Sequence, residues 1–216
     1  NPCHIYSAPG DYFVNLTAWD NNYADSADCI DVWSDTVHVY ALPIPAFTTD
    51  TVCWQDATQF TDNSTIGEPG TTLLSTRAWY FDADNTVDAT ILNPTNVFDT
   101  CGLNIYNVKL GVYDDNGCYN ETTESITISC PPVAQFTLDT VCFGNNTLFT
   151  STSDSGTFPI INYLWHNTGG DYLPLLDSTD YYATYIFDNI GPQDVTSLVI
   201  SDQFGCSDSI VDYAYV

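Results

Sequence analysis

The chain has 216 residues and carries 28 acidic side chains, 25 of them Asp, against two basic ones, Arg77 and Lys109. The formal charge of −26 excludes nucleic-acid binding, which needs Lys and Arg to neutralise phosphates. An anionic membrane surface repels such a chain, and its own charge must be screened by salt or bound cations or spread over a long surface.

Eight Cys occur with no Cys-x-x-Cys spacing, which points to disulfides and an oxidising compartment rather than to a metal site. Two basic residues leave almost no bonds for trypsin-like proteases, and there is no Met to oxidise. Both suit an extracellular or cell-surface protein. No apolar run reaches membrane length.

In chain order, the first element predicted is a strand over Tyr12, Val14, Leu16 and Ala18, where apolar residues alternate with polar ones. It ends at Asp20, and Val37 and Val39 lie in the strand predicted to return. After Leu42-Pro43-Ile44-Pro45 come two short strands, over Phe47-Thr48-Thr49 and Gln59-Phe60-Thr61, and one through Trp79. The clearest alternation is Tyr106, Val108, Leu110, Val112, followed by Asp115-Asn116-Gly117-Cys118. Asn-Gly is a hairpin signal because both residues tolerate positive φ, and Ile126 and Ile128 mark the returning strand.

The same series then repeats. Gln135-Phe136-Thr137-Leu138-Asp139-Thr140-Val141-Cys142 parallels Ala46-Phe47-Thr48-Thr49-Asp50-Thr51-Val52-Cys53. Leu148-Phe149-Thr150 parallels Gln59-Phe60-Thr61, and Thr196, Leu198 and Ile200 precede Gln203-Phe204-Gly205-Cys206. A phrase running from Asn93 to Gly102 matches Asn1 to Gly10 and, more loosely, Tyr185 to Gly191, which sets a period of about 90 residues. The expected organisation is the C-terminal half of a domain in residues 1–42 and whole domains in 43–131 and 132–216, with Pro stiffening each boundary. No helix is predicted. Many short strands with frequent turns give an all-β chain of tandem β-sandwiches.

The two Phe-Thr strands, the Trp-x-Phe strand at Trp79-Tyr80-Phe81, and the run Gly-x-Tyr-x-Val-x-Leu with Asp-x-x-Gly resemble PKD (polycystic kidney disease) domains. Cys before the second strand and Gly-Cys in the last hairpin resemble the versions in secreted Bacteroidota proteins. The resemblance implies Ig-like sandwiches over nearly the whole chain, with Trp79 and Trp165 in the core. The family's Trp-x-Phe-Gly-Asp-Gly stands here as Trp79-Tyr80-Phe81-Asp82-Ala83-Asp84 and decays to Trp165-His166-Asn167 in the last repeat.

In a PKD-like sandwich, loops alternate between two poles, and Cys101 and Cys130 fall at the same pole, which implies a Cys101–Cys130 bridge. Cys53 and Cys142 fall at that pole too, and Cys118 and Cys206 at the other. Bridging needs Cα atoms within about 7 Å, and a strand separates the poles by roughly 17–20 Å. Stacking end to end then implies Cys53–Cys206 across the joint, leaving Cys118 for an upstream half-domain and Cys142 for a further repeat. Pairing within repeats, Cys53 with Cys118 and Cys142 with Cys206, is the alternative. Cys3 and Cys29 are unassigned.

Asp82 with Asp84, Asp114 with Asp115, and Asp62 offer hard oxygen ligands of the kind Ca²⁺ takes. The competing reading is solvated turns closed by Asx hydrogen bonds. Asp-Ser/Thr before Ala, Val, Ile or Thr occurs at Ser26, Thr36, Thr51, Thr140, Ser178 and Ser209. It resembles the O-glycosylation motif of Bacteroidota secreted proteins and implies covalent O-glycans there. Trp54 and Trp33 are the exposed aromatics a carbohydrate platform would use.

No enzyme is expected. His4, His38 and His166 are scattered, and neither Gly-x-Ser-x-Gly nor a phosphate-binding loop occurs. The expected function is a structural or adhesive repeat segment of a surface or filament-forming protein. Its expected partners are neighbouring repeats, or copies of itself in a fibre. The alternative is a spacer or polysaccharide-binding module of a secreted hydrolase.

Overall fold

The computed structural model describes residues 2–19, 30–166, 181–186 and 192–215, and all regular structure among them is β. A first hairpin pairs β1 (Gly10–Trp19) with β2 (Ile30–Val39), Tyr12 opposite Val37 and Leu16 opposite Trp33. Six strands follow: β3 (Phe47–Thr49), β4 (Ala57–Asp62), β5 (Leu73–Tyr80), β6 (Thr95–Val97), β7 (Gly102–Asp114) and β8 (Tyr119–Ile128). Six more complete the chain: β9 (Phe136–Leu138), β10 (Asn146–Ser151), β11 (Ile160–His166), β12 (Tyr182–Ile186), β13 (Pro192–Asp202) and β14 (Ser207–Tyr215).

Each set of six makes two antiparallel three-stranded sheets with the same order. In the first set these are β3-β4-β6 and β5-β7-β8, and in the second β9-β10-β12 and β11-β13-β14. Period-two alternation decides what lies between the layers. Val108, Leu110 and Val112 from β7 and Ile126 and Ile128 from β8 are buried against Phe47, Phe60, Trp79 and Phe98. In the second set Leu198 and Ile200 meet Phe149, Trp165 and Ala183. The only described Arg, Arg77, is buried at the edge of the first core, where its Nε donates to Asp62. That pairing accounts for the carboxylate of Asp62, which sequence offered as a cation ligand.

The hairpin β1–β2 departs from its sequence pattern. Alternation over residues 12–18 predicts a half-buried strand, and the strand forms, but Val14 is 42% exposed and Leu16 66%. No second layer among the described residues covers that face.

Candidate functional site: the joint between the sandwiches

The two sandwiches meet through a compact set of contacts built from three short segments. The first is the loop after β3. Ser129, just beyond β8, donates its N–H to Val52 O (3.0 Å) and accepts the Trp54 N–H (2.8 Å), which holds Cys53 beside the end of β8. The second is the turn between β13 and β14. Gly205 there has φ +84°, which Gly adopts without strain. Asp202 Oδ1 accepts the N–H groups of Phe204 (2.8 Å) and Cys206 (3.0 Å), fixing the cysteine in place. Cys53 and Cys206 are joined with their Cα atoms 5.4 Å apart. Beside the bridge, the Ser129 hydroxyl donates to Asp202 Oδ2 (2.9 Å). Ser129, Asp202 and Cys206 are all buried, so the carboxylate reads one sandwich with one oxygen and its own turn with the other.

The third segment is the linker. Cys130, bridged to Cys101 with Cα atoms 5.0 Å apart, donates its N–H to Thr157 Oγ1 (2.7 Å) and accepts the Thr157 N–H (3.1 Å). Ala134 N–H donates to Asp208 Oδ2 (2.8 Å). Gly156 is pressed so close that a Cβ there would lie 1.9 Å from Cys130 O and 2.5 Å from Pro131 O. Backbone atoms cannot swing aside, so Gly156→Ala is expected to cost about 1–3 kcal/mol, concentrated at the joint. Hydrogen exchange of the Thr157 amide should speed up in this variant while the Leu198 and Ile200 amides keep their protection.

The same arrangement recurs between the first hairpin and the first sandwich. Ala41 N–H donates to Glu68 Oε2 (3.0 Å), as Cys130 does to Thr157. Asn120, two residues after Cys118 as Asp208 is two after Cys206, donates its Nδ2–H to Pro43 O (2.9 Å). A Cβ on Gly67 would lie 1.9 Å from Leu42 O. Asp114 Oδ1 accepts the N–H groups of Asn116 (3.0 Å) and Cys118 (2.8 Å), repeating the Asp202 turn.

His38 ties this first joint together. Its Nδ1 faces Asp11 Oδ1 at 2.6 Å and its Nε2 faces Glu68 Oε1 at 2.9 Å. Only an imidazolium donates from both nitrogens. The hydrogen bond to Asp11, with Glu68 adding to it, raises the ring above the ordinary histidine pKa of 6.5. A raised folded-state value means that the contact contributes fully below the unfolded value and is lost as pH rises through the folded one. An NMR titration should place the His38 midpoint above that of the same residue in the denatured chain, and Asp11→Asn with Glu68→Gln should bring it back. A midpoint at or below the denatured value would contradict this geometry.

No protein-family model matches the sequence, and no curated protein matches it. Among solved structures, the chain is similar to the PKD1 domain of Vibrio anguillarum Epp at 23% identity and a TM-score of 0.36, over 43% of this chain and 99% of that one. It is similar to the fibronectin(III)-like modules of Clostridium thermocellum CbhA at 13% identity and a TM-score of 0.39, over 79% and 94%. It is also similar to three N-terminal domains of the bacteriophage RB49 capsid protein Hoc at 15% identity and 0.43, over 80% and 58%. The strand order is what decides the fold. In each set of six, the first, second and fourth strands form one sheet and the third, fifth and sixth the other, which is the division of an immunoglobulin sandwich lacking its D strand. The fold is Ig-like.

On these Ig-like sandwiches the residues singled out by sequence fall as follows. Trp79 and Trp165 are fully buried. The structure bridges Cys53 with Cys206 and Cys101 with Cys130, and leaves Cys3, Cys118 and Cys142 unbridged. Cys29, Ser26 and Ser178 lie outside the described residues. Thr36, Thr140 and Ser209 are exposed, and Thr51, next to the closed bridge, is half-buried. Trp33 is 64% exposed on β2. Trp54 is 39% exposed, with its indole N–H committed to Asp99 O (3.0 Å).

The Asp pairs do not come together as a ligand set. Asp82 Oδ1 accepts the Asp84 N–H, and Asp84 Oδ1 accepts from the Thr86 N–H and hydroxyl. Asp115 accepts the Thr72 N–H and hydroxyl, and Asp114 caps its own turn. Among the described residues no three such groups converge on one point. Donors within two to four residues, or at Thr72 just ahead of β5, hydrogen-bond to these carboxylates.

Sequence reasoning missed Ser129, Thr157, Asp208, Glu68 and His38. It also missed Gly67 and Gly156, although their spacing of 89 residues (156 minus 67) matches the repeat period.

Proposed function

We propose that this chain is a non-enzymatic structural or adhesive segment of an extracellular cell-surface or filament-forming protein, and that its task is to carry tension through rigid joints between sandwiches. The single observation that supports this is the position of the Cys53–Cys206 bridge. It encloses residues 54–205, which hold five of the six strands of each sandwich, all but β3 and β14. A pull on the two ends of the chain therefore passes through the bridge, and of the two sandwiches only the outer strands β3, with Phe47, and β14, with Ile210, lie on the tensed path. The Ser129–Asp202 hydrogen bond and the linker contacts fix the angle at which the sandwiches meet.

The strong negative charge keeps such a segment solvated and apart from other polyanions. O-glycans at the exposed Thr36, Thr140 and Ser209 would add to that, and an intact mass above the sequence mass is the expected sign of them. Neighbouring sandwiches of the same build are the partners this reading requires.

Electron microscopy of single chains tests it. The oxidised chain should show one angle between the two sandwiches, and the reduced chain a broad spread. An equally broad spread in both would remove the rigid joint from the account.

A further inference from the structure

The joint occurs twice, but it is closed only once. Between the sandwiches, Cys206 is met by Cys53, delivered by the sheet β3-β4-β6 that covers β7–β8. Between the first hairpin and the first sandwich, every downstream part is already in place. The Asp114 turn presents Cys118 as the Asp202 turn presents Cys206, and Asn120, Glu68 and Gly67 hold the linker as Asp208, Thr157 and Gly156 do. Upstream, β1–β2 repeats the pairing of β7–β8. Tyr12 faces Val37 as Tyr106 faces Ile126, and Gly10 faces Val39 as Gly102 faces Ile128. Its face of Tyr12, Val14, Leu16 and Val37 corresponds to the face that Phe47, Phe60 and Phe98 cover in the first sandwich. Burial agrees with an open joint: Cys206 is buried, whereas Cys118 is half-exposed and its thiol unbridged.

We propose that the bared face of β1–β2 and the thiol of Cys118 form one acceptor for a further sheet of the same build as β3-β4-β6, whose loop cysteine closes a bridge to Cys118. The proposal rests on the joint described under Proposed function and extends it by naming the partner and both contact points. The occupant is a polypeptide segment with two Phe-Thr strands joined by an Asp-Thr-Val-Cys loop, because β3, β4 and the loop between them occupy the equivalent place one joint downstream. Two thiols become one disulfide, releasing two protons and two electrons. A small-molecule disulfide such as oxidised glutathione accepts both and leaves as two thiols. Burial, with the carboxylates of Asp114 and Glu68 nearby, raises the Cys118 thiol above its ordinary pKa, which keeps it protonated and slow to react until a partner is seated.

The test places a second copy of residues 43–92 directly ahead of Asn1, since Asn93-Pro94 and Asn1-Pro2 are equivalent positions. The extended chain is oxidised in a glutathione buffer and mapped by non-reducing mass spectrometry. The expected result is a peptide linking the added copy's cysteine to Cys118, replacing the free Cys118 peptide, with Cys142 still unbridged. The Trp33 indole N–H resonance in an NMR spectrum should shift as the face is covered, and it should do so in Cys118→Ser as well. An added cysteine that stays free, or pairs with Cys3 or Cys29, while Cys53–Cys206 is intact in the same map would overturn the proposal. Loss of Cys53–Cys206 itself would overturn the joint on which it rests.

Discussion

Replacing Cys53 and Cys206 by serine together is expected to turn one cooperative thermal transition into two. The bridge spans 153 residues of sequence, and loop-closure entropy assigns about 5 kcal/mol to a loop of that size as a ceiling. Part of this is not realised, because the linker contacts at Thr157 and Asp208 already confine the two sandwiches. A loss of about 3–5 kcal/mol in the less stable sandwich corresponds to a fall of roughly 15 °C or more in its melting temperature. Scanning calorimetry of the oxidised variant reads this directly. The Cys101–Cys130 bridge closes a separation of only 29 residues inside the first sandwich. Its removal should lower that sandwich alone, by about 3.5 kcal/mol at most, without separating the two transitions. A single unshifted transition for the Cys53→Ser/Cys206→Ser chain would mean that the bridge contributes nothing to coupling.

Trp79→Ala is expected to come close to unfolding the first sandwich. The indole is fully buried. Its ring lies 5.3 Å from Phe47 and 5.5 Å from Phe60, centroid to centroid, and its N–H donates to Ile91 O (3.0 Å). Truncating a buried Trp costs about 3–5 kcal/mol through lost burial and the cavity left behind. Domains of this size have of order 5–15 kcal/mol in total. Chemical denaturation should show the loss in the transition of the first sandwich, with the second sandwich following only as far as the bridge couples them. Run in the Cys53→Ser/Cys206→Ser background, the same substitution should leave the second sandwich's midpoint unmoved.

The core was legible because it follows period two. Val108, Leu110 and Val112 announce an inward face, and Trp79 and Trp165 recur at matching places in the two repeats. The turns were legible for a similar reason, since Gly117-Cys118 and Gly205-Cys206 each follow an Asp whose carboxylate caps the turn. The bareness of β1–β2 was not legible. Alternation says which face of a strand is apolar, and it is silent on whether another layer covers it. The joint was half legible. The poles of the sandwich implied that Cys53 and Cys206 would meet, but Ser129 and Asp202 are 73 residues apart and belong to no pattern until folding brings them together. His38 is a similar case: its two carboxylate neighbours come from β1 and from the loop before β5, so no local spacing marks it. The Asp pairs are a further case. Their spacing suits a cation, and spacing alone does not show which nearby backbone and hydroxyl donors their carboxylates meet in the fold.

The claim that tension passes through the Cys53–Cys206 bridge and spares residues 54–205 is tested most directly by pulling single oxidised chains from their two ends. The bridge encloses 152 of the 216 residues (54–205), leaving 64 to extend, or about 220 Å of chain at roughly 3.5 Å per residue. In the Cys53→Ser/Cys206→Ser chain only the 28 residues between Cys101 and Cys130 stay enclosed, so 188 extend, about 650 Å. The expected contour length is near the first figure for the oxidised protein and near the second for the variant. Oxidised chains that reach the longer length would contradict it.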